Sequence, residues 1–197
     1  MKKLVLLAVL ALALPTAVFA SSNIDYSNSG GTLSGSASGL SLSGSVLIAV
    51  NSNAGLITGS DLGSVSFQTG ALQSGSLQNG GTFAAGGWFT ITGNGTNGVP
   101  NGTLFSGTFS GPVSWSMTTL ANGTHNYTLT GTLMASSGPS EGTTVQLTVN
   151  TGKGFFNGCT RISSGDTNVV VPEPGSLSLL GTGLIALGGT IRRKLKV

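Results

Sequence analysis

Apolar and polar residues alternate one by one through most of the central chain, and a two-residue period confines such segments to β-structure. Leu40-Ser41-Leu42-Ser43 leads into Val46-Leu47-Ile48-Ala49-Val50, and Val65-Ser66-Phe67-Gln68 and Trp88-Phe89-Thr90-Ile91-Thr92 follow. Val113-Ser114-Trp115-Ser116-Met117, Tyr127-Thr128-Leu129-Thr130 and Val145-Gln146-Leu147-Thr148-Val149 repeat the theme. Each run has one apolar face to bury and one Ser/Thr face for water, and β-branched Thr suits an extended backbone. The separators are turn chemistry: Asn79-Gly80, Asn97-Gly98, Asn101-Gly102, Asn122-Gly123 and Asn157-Gly158. Asn-Gly readily takes the two positive φ values of a type I′ hairpin turn. Short strands at near-regular spacing with this punctuation predict an all-β fold, an antiparallel β-sandwich. A faint repeat, in which Asn79-Gly80, Asn101-Gly102 and Asn122-Gly123 recur about every 22 residues, raises a β-solenoid as the alternative.

The formal net charge of +3 does not describe this central segment. Lys2 and Lys3 lie at the front, and Arg192, Arg193, Lys194 and Lys196 at the back. Between Ser21 and Val171, Lys153 and Arg161 face Asp25, Asp61, Glu141 and Asp166, leaving about −2. No basic patch remains to neutralise phosphates, which excludes nucleic acid as a partner. Low charge combined with retained Val, Ile, Leu, Phe and Trp also separates the segment from disordered chains, which pair low hydrophobicity with high charge.

Catalysis needs groups that move protons, attack or hold a metal, and the segment is poor in all three. His125 follows the Asn122-Gly123 turn and reads as a surface histidine. Cys159 has no partner for an intramolecular disulfide and reads as a passive or half-buried thiol. Zinc wants three or four Cys, His or carboxylate ligands at suitable spacing, and Asp166 stands without the alternating Asp residues of a calcium loop. The expectation is therefore no catalytic residue, no metal site, no cofactor and no enzyme activity. Asn94-Gly95-Thr96, Asn101-Gly102-Thr103, Asn122-Gly123-Thr124 and Asn126-Tyr127-Thr128 match the N-glycosylation pattern, but turn residues explain them in so Asn- and Thr-rich a chain. Trp88 and Trp115 are the weak candidates for stacking on a glycan, set against the commoner fate of alternating Trp residues in a core.

Two further segments flank the β-domain of residues 21–170. Residues 1–20 read as a secretory signal peptide: Lys2-Lys3, an apolar run from Leu4 to Leu14, then Pro15 and the small-residue ending at Ala20. That apolar run of about 11 residues is too short to cross a ~30 Å hydrocarbon core. Cleavage is expected between Ala20 and Ser21, by signal peptidase after passage through the general secretion machinery. From residue 171 to 197 the composition changes again. Val171-Pro172-Glu173-Pro174-Gly175-Ser176 precedes an uncharged apolar stretch to Ile191, and Arg192-Arg193-Lys194-Leu195-Lys196-Val197 closes the chain. Gly175 to Ile191 would make a helix of about 25 Å, a short transmembrane anchor whose basic end stays cytoplasmic.

This tail resembles the PEP-CTERM sorting signal of exosortase-bearing Gram-negative bacteria. Pro172-Glu173-Pro174, the short helix and the stop cluster Arg192-Arg193-Lys194 stand in the order that signal requires. The resemblance covers about 26 of 197 residues. It implies an exosortase-type membrane protease or transpeptidase as partner, a membrane-anchored intermediate, cleavage near Pro172 to Pro174 and delivery to the cell surface or outside. Proteins with this signal are associated with exopolysaccharide and biofilm assembly, and the signal also occurs on some ice-binding proteins. The expectation is an exported structural protein of the cell surface or extracellular matrix with exopolysaccharide as a further partner. A surface module binding carbohydrate or ice is the alternative.

Overall fold

The computed structural model describes residues 22–136 and 142–171, and all its regular structure is extended. The strands are β1 Ser22–Ser29, β2 Thr32–Ser36, β3 Gly39–Ser52, β4 Gly55–Gln68, β5 Leu72–Ser76, β6 Gly80–Phe83 and β7 Gly86–Asn94. They continue with β8 Asn101–Phe109, β9 Val113–Thr119, β10 His125–Ala135, β11 Thr143–Asn150, β12 Cys159–Arg161 and β13 Ser164–Val171. The signal helix and the C-terminal helix fall outside the described residues. Among the described residues no helix is long and apolar enough to cross a membrane.

Hydrogen bonds join the strands into one continuous network. Its path runs β11-β13-β1-β3-β4-β7-β8-β10, and β10 then pairs back with β11, so the path closes on itself. The ladders from β1–β3 round to β11–β13 are antiparallel, as the alternation predicts. Antiparallel ladders also fail to stack the Asn-Gly repeat as parallel solenoid rungs. A sandwich would be two separately bonded sheets; among the described residues the hydrogen bonds define one. Two short extensions complete the network: β9-β6-β5 leaves β10, and β2-β12 leaves β3.

Why β10 can serve three neighbours follows from its length and from Pro112. Its first half pairs with β9 from His125 to Thr130, and its last residues pair with β8 from Leu133 to Ala135. Pro112 has no N–H to give a ladder, so the β8–β9 connection breaks the edge there. Ser110 bridges the gap by donating its N–H to Thr132 O at 3.0 Å and its hydroxyl to Thr132 Oγ1 at 3.1 Å.

Inward side chains form two aromatic groups within one apolar core. Phe67 stacks on Phe89 with centroids 5.8 Å apart, and Phe105 and Phe109 meet them edge-on. Trp115 stacks on Tyr127 at 5.0 Å, with Phe156 edge-on to the indole. The polar tips of this second group clamp the β5–β6 turn: Trp115 Nε1 donates to Leu77 O at 2.9 Å and the Tyr127 hydroxyl to Gln78 O at 2.6 Å. The hydroxyl oxygen then accepts from the Phe156 N–H at 3.1 Å.

The turns correct one expectation. A type I′ turn needs positive φ at both central residues, and only Asn97-Gly98, at 53° and 86°, has it. Val99 N–H closes that turn on Thr96 O at 2.9 Å. Asn101-Gly102 instead opens β8, and at Asn79, Asn122 and Asn157 only the following glycine is positive. At Asn122 the side chain makes the turn, its Oδ1 accepting Thr124 N–H at 3.0 Å and the Thr124 hydroxyl at 2.8 Å. Asn94 does the same for Thr96.

Thr143 and Thr167 are fully buried on the inner faces of β11 and β13, and neither hydroxyl has a hydrogen-bond partner. An orphaned buried hydroxyl costs about 1–3 kcal/mol, and an apolar group of the same shape escapes that penalty. Thr167→Val should therefore raise the unfolding free energy by about 1 kcal/mol, read as a higher urea midpoint at unchanged slope. An unchanged or lowered midpoint rejects this account of the site.

Candidate functional site

The outward residues of the closed sheet form a lattice of hydroxyls and amides. Across β13, β11, β10 and β9 one row reads Ser164, Thr148, Thr128, Ser116, and the next Asp166, Gln146, Thr130, Ser114. Asn168, Thr144 and Thr132 make a third. Neighbours along a strand are ~6.6 Å apart and across strands ~4.8 Å, so the face repeats polar groups at sugar-hydroxyl scale. Asp166 is the one charge in these rows.

At the break beside Pro112 this face dips into a shallow groove of about 390 Å³. Pro112, Ser114, Thr130, Thr132, Thr144 and Gln146 line it. Gly131 sits in its floor with its Cα hydrogens turned inward, where a Cβ would come within 2.9 Å of the Phe109 ring. The Thr132 hydroxyl is held by Ser110, whereas Ser114, Thr130, Thr144 and Gln146 have exposed side chains with no protein hydrogen-bond partner. Elsewhere on the surface such groups often satisfy one another, as Ser64 Oγ and Thr92 Oγ1 do at 2.8 Å and Asn150 Nδ2 and Asn126 Oδ1 at 2.6 Å.

The tryptophans separate cleanly. Trp115 is 1 % exposed and offers no ring face to a ligand, so its place among the glycan candidates falls to core packing. Trp88 is 44 % exposed on β7, opposite Gln68. Met134, 60 % exposed, lies on β10 one outward position beyond Thr132 and opposite Thr108 of β8. Trp88 and Met134 thus lie on outward strand positions on either side of β8, beyond the groove.

His125 also departs from expectation: it is 8 % exposed, stacked on Phe155 at 4.6 Å with Nδ1 3.0 Å from the Thr119 hydroxyl. Its alternation with Tyr127 and Leu129, both inward, was the available sign. Cys159 is exposed on β12, opposite Ser34. Among the described residues no three His, Cys, Asp or Glu side chains gather as metal ligands. Ala20, Ser21, Pro172, Glu173, Pro174, Arg192, Arg193 and Lys194 lie outside the described residues. The sequence shows no regular Thr-x-Thr ladder along the whole chain; the short row Thr128, Thr130, Thr132 gains its extent from the partner row on β11, which chain order hides.

Where β13 lies beside β1, Asp166 accepts a 3.1 Å hydrogen bond from Ser27 Oγ, and Asp25 lies close by with Oδ1 buried and unpartnered. Burial, then the like charge of Asp166, pushes the Asp25 carboxyl above its ordinary 3.8. The folded chain therefore holds this proton more tightly than the unfolded one. The stability it contributes is complete below the ordinary aspartate range and is lost as pH rises through the raised folded value. Asp25→Asn should melt higher than the wild type near neutral pH and like it at about pH 3. Equal melting at neutral pH would show that Asp25 ionisation carries no strain.

Val170 and Val171, the last residues of β13, run straight into Pro172. The family model for the PEP-CTERM protein-sorting motif matches residues 170–194, from the end of that strand to the basic cluster. The chain carries a PEP-CTERM sorting motif. The motif marks an exported protein, processed by exosortase from a membrane-anchored intermediate and destined for the cell surface. Comparison with curated proteins and with solved structures gives no match.

Proposed function

We propose that the β-domain is a non-catalytic structural component of the cell surface or extracellular matrix of a Gram-negative bacterium, held there by contact with exopolysaccharide. The observation that carries this reading is the hydroxyl and amide lattice across β13, β11, β10 and β9, in which Asp166 is the one charge. Neutral polar groups without protein partners exchange water for sugar hydroxyls at little desolvation cost, and many weak contacts along a polymer add up. A body of about −2 with two cations favours uncharged polymers over polyanions. Exposed Trp88 supports the carbohydrate-binding form of the reading, since an indole face stacks on the apolar face of a sugar ring.

The test is co-sedimentation of the exported protein with extracellular polysaccharide from its own host, with and without enzymatic removal of the polysaccharide. Retention that disappears on digestion supports the proposal. Protein that stays in solution at every polysaccharide concentration refutes it, and thermal hysteresis in that same sample would move the threonine rows to ice.

A further inference from the structure

We propose that the groove beside Pro112 is the principal subsite for an uncharged glycan chain, and that Met134, Thr108 and Trp88 continue it as a track across β10, β8 and β7. This inference rests on the matrix reading above and names where the polymer is held. Three observations single out the groove. It is the place where β10 changes neighbours, so the sheet surface is notched and a ring can sink below the level of the flanking strands. Its walls present Ser114, Thr130, Thr144 and Gln146, each exposed and none engaged by another protein group. Its apolar contribution is the ring of Pro112 and the Val145 and Gly131 backbone, which suits the C–H faces of a pyranose.

The chemistry of the walls decides the ligand class. Hydroxyls and a carboxamide both donate and accept, as sugar hydroxyls do, and discriminate poorly between stereoisomers unless several act together. No cation lines the groove to hold a carboxylate or sulfate, and Asp166, across from Gln146, would repel one. The ligand is therefore a neutral polymer. Beyond Thr132 the next outward residue on β10 is Met134, then Thr108 across on β8, with the exposed Trp88 on β7. A chain seated in the groove can follow this line and stack one unit on the indole.

The variants that test this are Thr130→Val with Gln146→Ala, which removes groove donors, and Trp88→Ala. Thr58→Val, exposed on β4 and outside the lattice rows, is the control for a general surface effect. The exported protein is run in native gels containing dextran, mixed-linkage β-glucan or galactomannan, with alginate as the charged comparison. Wild type should be retarded by at least one neutral polymer and not by alginate. The groove double variant should lose that retardation about tenfold and Trp88→Ala severalfold, with Thr58→Val close to wild type, because only the first two remove hydrogen-bonding or stacking groups along the proposed track. Circular dichroism melts alike for all four confirm that folding is not the cause. Retardation by neutral polymer that survives the double variant overturns the groove and leaves the matrix reading standing. Retardation by alginate alone overturns the neutral-ligand assignment, and absence of retardation together with absence of co-sedimentation overturns both.

Discussion

Trp115→Ala will cost the β-domain about 3–5 kcal/mol, while Trp88→Ala will leave its stability within about 0.5 kcal/mol. Trp115 alternates with Ser114 and Ser116, whereas Trp88 stands between Gly87 and Phe89, and the structure separates the two. The Trp115 ring is closed between Tyr127 and Phe156, and its Nε1 anchors the β5–β6 turn through Leu77 O. Truncation leaves a cavity in the aromatic group, strands the Leu77 carbonyl and frees one of two clamps on that turn. A domain of this size has about 5–15 kcal/mol in hand, so the loss is about a fifth of the total or more. Urea unfolding followed by far-UV circular dichroism measures both variants. A shift under about 1 kcal/mol for Trp115→Ala would mean that the second aromatic group is not a stabilising core. The pair also yields a spectroscopic check, because the remaining tryptophan should emit as a buried indole in Trp88→Ala and as an exposed one in Trp115→Ala.

The same pair marks how far sequence reading reached. Alternation gave the strands and the antiparallel class because side-chain direction in a strand is a local property. It gave the inward set poorly where neighbours compete. Trp88 pairs in unbroken register with Gln68 and Phe89 with Phe67, so alternation that buries Phe89 turns Trp88 out. His125 follows the Asn122-Gly123 turn and so reads as a surface residue, although its spacing to Tyr127 and Leu129 puts it on the buried face. Closure of the sheet was not readable at all. It depends on β10 meeting β11 and β8 together, and on β13 lying beside β1 from the other end of the chain. Contacts of that range leave no periodic mark. The groove is a product of the same closure: Pro112 is visible in the sequence, but its meeting with Thr144 and Gln146 is not. The sorting tail was legible for the opposite reason, since a signal read as an extended peptide must be written in contiguous residues.

Replacing Pro172, Glu173 and Pro174 by alanine should abolish release and leave in the inner membrane a product that starts near Ser21 and keeps its basic end. Intact mass and fractionation from an exosortase-bearing host measure this. Wild type should end at or just beyond Pro172, whereas the variant should keep Arg192, Arg193 and Lys194. The physical reason begins at β13. Val171 is still a strand residue and Pro172 follows at once, so no spacer separates the folded sheet from the matched motif. Proline cannot donate to a ladder and biases the residue before it to extended backbone, the form a protease cleft accepts, and the sequence places one at 172 and another at 174. Alanine there permits β or helical continuation on either side. The sheet sets the upstream limit of the cut. Cleavage within residues 164–171 would strip β13 from between β11 and β1 and leave two unpaired edges, an invitation to aggregation. The released product should therefore retain every residue through Val171 and melt at the temperature of the uncut chain. A product that ends inside β13 yet stays folded would show that the ring does not depend on its last strand, and a released alanine variant would show that the Pro-Glu-Pro sequence is not what exosortase reads.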